Sequence, residues 1–142
     1  MGQWERSLED LVSPWQGRRV FMTGHTGFKG GWLALWLARL GAETRGYALD
    51  PATEPNLFTV AGVGRVLEDV RGDLLDRARL EAAMQEFAPE VVFHLAAQPR
   101  VRRSYADPVG TEATKWRGPA QVLEEVRRTR SVRAVVCVTR DK

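Results

Sequence analysis

The sequence predicts an α/β fold, a doubly wound parallel sheet of strand order 3-2-1-4-5, and three observations carry that prediction. Five short strand-like runs alternate with segments of helical periodicity, the pattern of parallel strands joined by crossover helices. Gly24, Gly27 and Gly30 stand between the first run and the first helical segment, where a strand must turn tightly into a helix. The run over 132–138 is apolar but for Arg133, as a strand covered on both faces would be.

Residues 1–17 read as an N-terminal extension and 18–142 as one nucleotide-binding domain. In the extension Trp4, Leu8, Leu11 and Val12 fall at helical spacing, closed by Ser13-Pro14, and packing is the expected role. Strand one is expected over 19–23. It feeds Gly24-His25-Thr26-Gly27-Phe28-Lys29-Gly30, spaced G-x-x-G-x-x-G. In such a turn Gly24 permits a sharp exit from the strand, Gly27 admits a pyrophosphate to the backbone, and Gly30 brings helix and sheet together. The first N–H groups of the helix lack internal partners, and the helix dipole favours an anion there. A Rossmann-type site follows, with Lys29 either neutralising a phosphate or merely exposed. The helix carries Trp32, Leu33, Leu35, Trp36, Leu37 and Leu40, apolar almost all round, so it is expected to be mostly buried before it stops at Gly41.

Strand two, 43–49, closes on Asp50, twenty positions beyond Gly30. There the fingerprint places a carboxylate that bonds the adenosine ribose hydroxyls and repels a 2′-phosphate, which favours NAD over NADP. Asp50-Pro51 also reads as a plain turn. A loop over 51–64 with a short turn near Leu57-Phe58 leads to strand three, 66–70, and to Arg71-Gly72-Asp73-Leu74. Asp73 is placed either to meet an adenine amino group or to start the next turn. Asp76 caps a helix reaching about Phe87, with Leu80, Ala83, Met84 and Phe87 on one face. Strand four, 90–95, runs into Ala96-Ala97-Gln98, where small side chains let a dinucleotide approach. Asp107-Pro108 starts a helix to about Thr129 that Pro119 must kink or interrupt. Strand five, 132–138, ends the pattern.

Composition narrows the function. The 142 residues suffice for one domain, and 44% hydrophobic with 27% charged residues is ordinary for a globular chain. The net charge is +3, but the arginines are spread along the chain, so a solvated surface is expected rather than a nucleic-acid stripe. The single cysteine, Cys137, excludes a disulfide framework, and neither histidine has metal-ligand company, so no metal is expected. His94 reads as structural. No run has membrane-spanning length and no signal peptide is evident, so the expected location is cytoplasmic.

Four passages go beyond a generic fold: Gly24-His25-Thr26-Gly27-Phe28-Lys29-Gly30; Tyr47-Ala48-Leu49-Asp50-Pro51 with Thr53-Glu54-Pro55-Asn56-Leu57-Phe58; His94-Leu95-Ala96-Ala97-Gln98-Pro99; and Arg102-Arg103-Ser104-Tyr105-Ala106-Asp107-Pro108. Together they resemble the CDP-glucose 4,6-dehydratases of the extended short-chain dehydrogenase/reductase family, from about Trp15 to Lys142. The block from His94 to Pro108 is the most specific. The resemblance implies a lyase that uses bound NAD to oxidise the sugar at C4, eliminates water across C5 and C6, and returns the hydride to C6 of CDP-4-keto-6-deoxyglucose, for surface polysaccharide synthesis. It places Arg102, Arg103 and Ser104 where substrate and cofactor loops converge; a solvated basic loop is the alternative. At the end of strand five the family's Thr-Ser-Asp-Lys becomes Thr139-Arg140-Asp141-Lys142. Asp141 matches the acid for the C6 hydroxyl and Lys142 the group acting at C5, with Thr139 beside them.

Arg140 replaces a small hydroxyl residue and cannot accept a hydrogen bond. Two further departures are Lys115 in place of an asparagine and Pro119 in place of a threonine. The family's Tyr-x-x-x-Lys pair has no counterpart, since neither Tyr47 nor Tyr105 is followed by a lysine four residues on. The expectation is therefore the NAD-binding half of such an enzyme, truncated after strand five, without its substrate domain and inactive alone. Its fifth strand would be left at an open edge, which favours a homodimer or low solubility. A non-catalytic NAD-binding remnant, another sugar-nucleotide epimerase or dehydratase, and, last, a basic nucleic-acid-binding domain are the other readings.

Overall fold

The computed structural model describes residues 14–51, 54–95 and 108–138, with the side chains of 108–116 excepted. Its elements run β1 (Arg19–Thr23), α1 (Phe28–Arg39), β2 (Glu43–Ala48), the single-turn α2 (Leu57–Val60), a 3-10 turn (Val63–Arg65), β3 (Glu68–Arg71), α3 (Arg77–Phe87), β4 (Val91–His94), α4 (Pro108–Arg128) and β5 (Ala134–Cys137). The sheet is parallel, in the order β3-β2-β1-β4-β5. The helix expected around Trp4 to Val12 lies outside the described residues.

The pleat of β1 divides the core. Successive side chains point to opposite faces, so Val20 and Met22 go one way and Phe21 the other. On the first face Val20 and Met22 meet Ala34, Leu37 and Val63, with Trp15 and Phe93 at the margin. On the second, Phe21 and Tyr47 meet Leu80, Ala83, Met84, Phe87, Val92 and Val122. The helical face read from α3 is therefore the buried one, and the Asp76 side chain accepts from the Arg79 N–H as expected of its cap.

Three expectations need correction. Helix α1 is not buried all round: Gly30, Gly31, Ala34 and Leu37 face the sheet, while Phe28, Trp32 and Trp36 are exposed. These three recur every fourth residue, so they share the stripe turned away from the sheet. The short turn expected at Leu57-Phe58 is the single-turn α2, capped by the Asn56 side chain through the Thr59 N–H, and a further 3-10 turn over Val63–Arg65 follows it. Helix α4 continues through Pro119 without interruption. The missing proline N–H forfeits one bond of the ladder, and packing of Val122 and Val126 against the sheet holds the helix regardless. Strand β5, expected to be covered on both faces, is exposed along its whole length, Cys137 included. Among the described residues it pairs only with β4, so it forms an edge.

The packing face of α4 includes one carboxylate. Glu125 is 2% exposed, Oε2 has no partner, and burial, with Glu81 nearby, pushes its carboxyl above the ordinary 4.5. A group raised in the folded state stabilises fully below its unfolded value and loses that contribution as pH rises through the folded one. Replacing Glu125 with Gln is therefore expected to stabilise the protein by about 1 kcal/mol at pH 8. The gain should vanish at pH 4, and urea unfolding midpoints at the two pH values measure it.

Candidate dinucleotide site

The sheet reverses its winding between β1 and β4, and their carboxyl ends open the crevice in which such folds bind ligands. Gly24 leaves β1 with φ +83°, a left-handed conformation that favours glycine, and its N–H donates to the Tyr47 carbonyl at 3.1 Å. The turn closes through Gly27 N–H to the Gly24 carbonyl, 3.1 Å, and Gly31 N–H to the Gly27 carbonyl, 2.8 Å. A Cβ on Gly30 would overlap that same Gly24 carbonyl, so only glycine lets α1 come this close. Gly27 forms the N-cap with no side-chain bond, and the first turn of α1 carries no acidic residue. With Gly27, Phe28 and Lys29 exposed, the helix mouth presents free N–H groups to solvent.

Side chains behind the turn fix it to the sheet. Thr26 donates its hydroxyl to the Leu49 carbonyl at 2.8 Å, which ties the turn to the end of β2. His25 was expected among the cofactor contacts, but its side chain is fully buried and turned away from the mouth. It occupies the space a side chain at Gly46 would take, stands edge-on to Phe58, and bonds Asp69 on β3 through Nε2 at 2.7 Å. A carboxylate only accepts, so Nε2 carries the hydrogen, and Nδ1 has no partner. Burial holds the imidazole below its ordinary 6.5 against the opposing pull of Asp69, so the ring is neutral. The Asp69 carboxyl, which burial alone would raise, is brought below its ordinary 3.8 by bonds from Arg71 and His25. Arg71 also donates to Asp50 and lies over the Phe58 ring.

Two more braces frame the crevice. Thr23 Oγ1 lies 2.7 Å from His94 Nδ1 and accepts from the Leu95 N–H, joining the ends of β1 and β4. Burial lowers the His94 imidazole as well, in agreement with a structural role. The Tyr47 hydroxyl donates to the Asp73 carbonyl at 2.7 Å, and burial, then the charge of Asp76, pushes its pKa up to about 12. That phenol is a strut, unsuited to moving protons near neutrality.

The structure thus brings Gly24, Thr26, Gly27, Phe28, Lys29 and Gly30 to one crevice, with Asp50 at the adjacent strand end and Asp73 and Leu74 beyond it. The Asp73 carboxylate accepts from the Leu75 N–H, so it does start a turn, and Leu74 packs against the core beside Gly118. Ala96, Ala97, Gln98, Arg102, Arg103, Ser104, Thr139, Asp141 and Lys142 lie outside the described residues. Sequence reasoning missed Asp69 and Arg71. Their signal was a charged pair at period two on an edge strand, which puts both on one face. Among the described residues no cluster of His, Cys, Asp and Glu could hold a metal, and no helix is long and apolar enough to cross a membrane.

The model of the NAD dependent epimerase/dehydratase family matches residues 20–141. A CDP-glucose 4,6-dehydratase of Salmonella typhimurium is 49% identical over 128 residues, covering 90% of this chain and 36% of that protein. A UDP-glucose 4-epimerase of Mycolicibacterium smegmatis is 36% identical over 83% of this chain and 37% of its own. Among solved structures, the UDP-glucose 4-epimerase of Brucella ovis in complex with NAD superposes with TM-score 0.71 at 30% identity, over 85% of this chain and 35% of that one. The NAD complex of the Thermus thermophilus UDP-glucose 4-epimerase gives 0.69 at 29%, over 82% and 36%. The chain therefore spans about a third of the length of these relatives, not the expected half.

Two outcomes follow from this geometry. Gly30→Ala should cost about 3 kcal/mol or more, because the overlap is with backbone rather than a movable side chain; thermal unfolding measures it. For His25 and His94 the folded values lie below the unfolded 6.5, so the unfolded chain binds more protons as pH falls past that value. Urea midpoints should drop from pH 7.5 to 5.5. The Glu125→Gln background removes the opposing carboxyl, and His94→Asn should shrink the drop.

Proposed function

The chain belongs to the NAD dependent epimerase/dehydratase family, and we propose from that premise that it is the cofactor-binding portion of a sugar-nucleotide 4,6-dehydratase acting on CDP-glucose, a lyase located in the cytoplasm. The observation that carries the cofactor part is the uncapped mouth of α1, drawn against the Gly24 carbonyl by the absence of a side chain at Gly30. A cradle built from backbone N–H groups, with its flanking side chains turned inward, fits a diphosphate. The substrate part rests on the 49% identity with a CDP-glucose 4,6-dehydratase.

In this reading Gly24, Gly27, Phe28, Lys29 and Gly30 receive the diphosphate, with His25 and Thr26 acting through their backbone while their side chains brace the turn. Asp50 accepts from the adenosine ribose hydroxyls, Asp73 and Leu74 border the adenine, and Ala96, Ala97 and Gln98 flank the cofactor. Bound NAD would supply a reversible hydride acceptor for the sugar. Arg102, Arg103 and Ser104 neutralise and orient the sugar nucleotide. Asp141 holds the proton for the departing C6 hydroxyl and Lys142 acts at C5. Thr139 is the remaining hydroxyl at that strand end, since Arg140 has no acceptor to offer.

The test is calorimetric titration of the folded chain with NAD, followed by incubation with CDP-glucose and NAD. Saturable binding without a 4-keto product is expected, because no Tyr-x-x-x-Lys pair lies within these residues. Absence of NAD binding by a folded chain overturns the cofactor reading. Turnover would overturn the claim that the machinery here is partial.

A further inference from the structure

The stripe of α1 turned away from the sheet is aromatic. Phe28, Trp32 and Trp36 are 69%, 55% and 66% exposed, and the Phe28 and Trp32 rings stand edge-on with centroids 6.4 Å apart. Together they leave roughly 400 Å² of apolar surface in solvent, the size at which a patch on a single chain is often functional. Lys29 and Arg39 bracket the stripe, and α1 carries no acidic residue. A second copy of the chain fits this face badly. Specific interfaces bury about 800 Å² per partner, and α1 packed on its own copy would bring cations only against cations.

We propose that the occupant is the chain's own segment 1–13, which lies outside the described residues, docked as an amphipathic helix along Phe28, Trp32 and Trp36. Three observations select it. The first is where the segment joins the fold. Trp15 packs on the face of the sheet that α1 covers, its ring 6.1 Å from that of Phe93. The Gly17 N–H donates to the Gly41 carbonyl at 2.8 Å, and a Cβ on Gly41 would meet Gln16. Residues 14–17 are therefore tied beside the carboxyl end of α1, just past Trp36. The second is spacing. Trp4, Leu8 and Val12 repeat the four-residue interval of Phe28, Trp32 and Trp36, and each row is about 12 Å long in a helix. A helix closed by Ser13-Pro14 would run parallel to α1, Val12 beside Trp36 and Trp4 beside Phe28, and rows of this interval are those that interdigitate in the commonest helix packing. The third is charge: Glu5, Glu9 and Asp10 outnumber Arg6, opposite in sign to α1. A tether this short raises the effective concentration of the segment, so a patch too small for a free partner suffices. The docking does not depend on the NAD reading.

Hydrogen exchange on the full chain, read at the amides of residues 4–12, tests the proposal. In the unaltered chain these amides should exchange about tenfold or more slowly than in an unstructured peptide of the same sequence. The protection should be independent of protein concentration and should disappear in Trp32→Ser/Trp36→Ser. Both side chains are exposed, and slow amides of β1 and β4 in the same experiment report that the sheet is intact; Trp36→Ser alone serves should the double variant lose it. Absence of protection overturns the proposal. So does protection that survives the serine variants, which would place the segment elsewhere. Protection that fades on dilution, with a dimer in sedimentation, assigns the stripe to a second copy and overturns it as well.

Discussion

One contact constrains this structure: the face of Gly30 against the carbonyl of Gly24. It sets how near the first helix comes to the central strand, and hence where the helix mouth sits relative to the crevice. Everything upstream serves that approach. Gly24 takes a left-handed turn that spares the chain a wider loop, and its N–H is spent on the neighbouring strand. Ala34 and Leu37 then lie flat on Val20 and Met22 because the helix axis is already close. A helix held further out would bury less of that face and point its free N–H groups elsewhere.

The side chains around the turn divide into those that brace it and those that reach solvent at the rim. His25, Thr26, Thr23 and Tyr47 direct their polar atoms inward or along the sheet ends, to Asp69, Leu49, the β4 end and Asp73 in turn. None needs a ligand to be satisfied at those atoms. At the outer rim Asp50 and Arg71 reach solvent instead. A neutral buried histidine suits the inner role: it donates one hydrogen bond to Asp69 without adding a charge that the interior would penalise.

The strand order, the glycine turn and the α3 face were legible in the sequence because each depends on local periodicity or on one residue type. Gly24 and Gly30 could be assigned separate duties from spacing alone, and the structure bears out both. What failed depended on partners distant in sequence. Trp32 and Trp36 read as core because hydrophobicity does not say which stripe of a helix has a neighbour, and here the sheet takes the small-residue stripe instead. The apolar β5 read as a covered strand, but coverage is a property of what packs on it. For His25 the cofactor reading is not overturned, but only the fold reveals that its ring reaches across β2 to Asp69, forty-four residues on. Arg71 looked like a loop residue until β3 was seen to end on it.

The division between backbone grip and side-chain selection also explains how far family membership carries. A turn built on three glycines asks little of the remaining sequence, so relatives at 29–30% identity keep this fold at TM-scores of 0.69–0.71. The same economy means that the cradle says nothing of what is done to a sugar. In the proposed reading that depends on a few side chains, among which Arg140 departs in sequence from the dehydratases this chain resembles. An arginine offers only hydrogen-bond donors, so in that reading any acceptor for the sugar has to come from another residue. The cofactor grip can therefore be kept unchanged while the chemistry above it is altered, and it is the rim, not the turn, that has to be read to tell one activity from another.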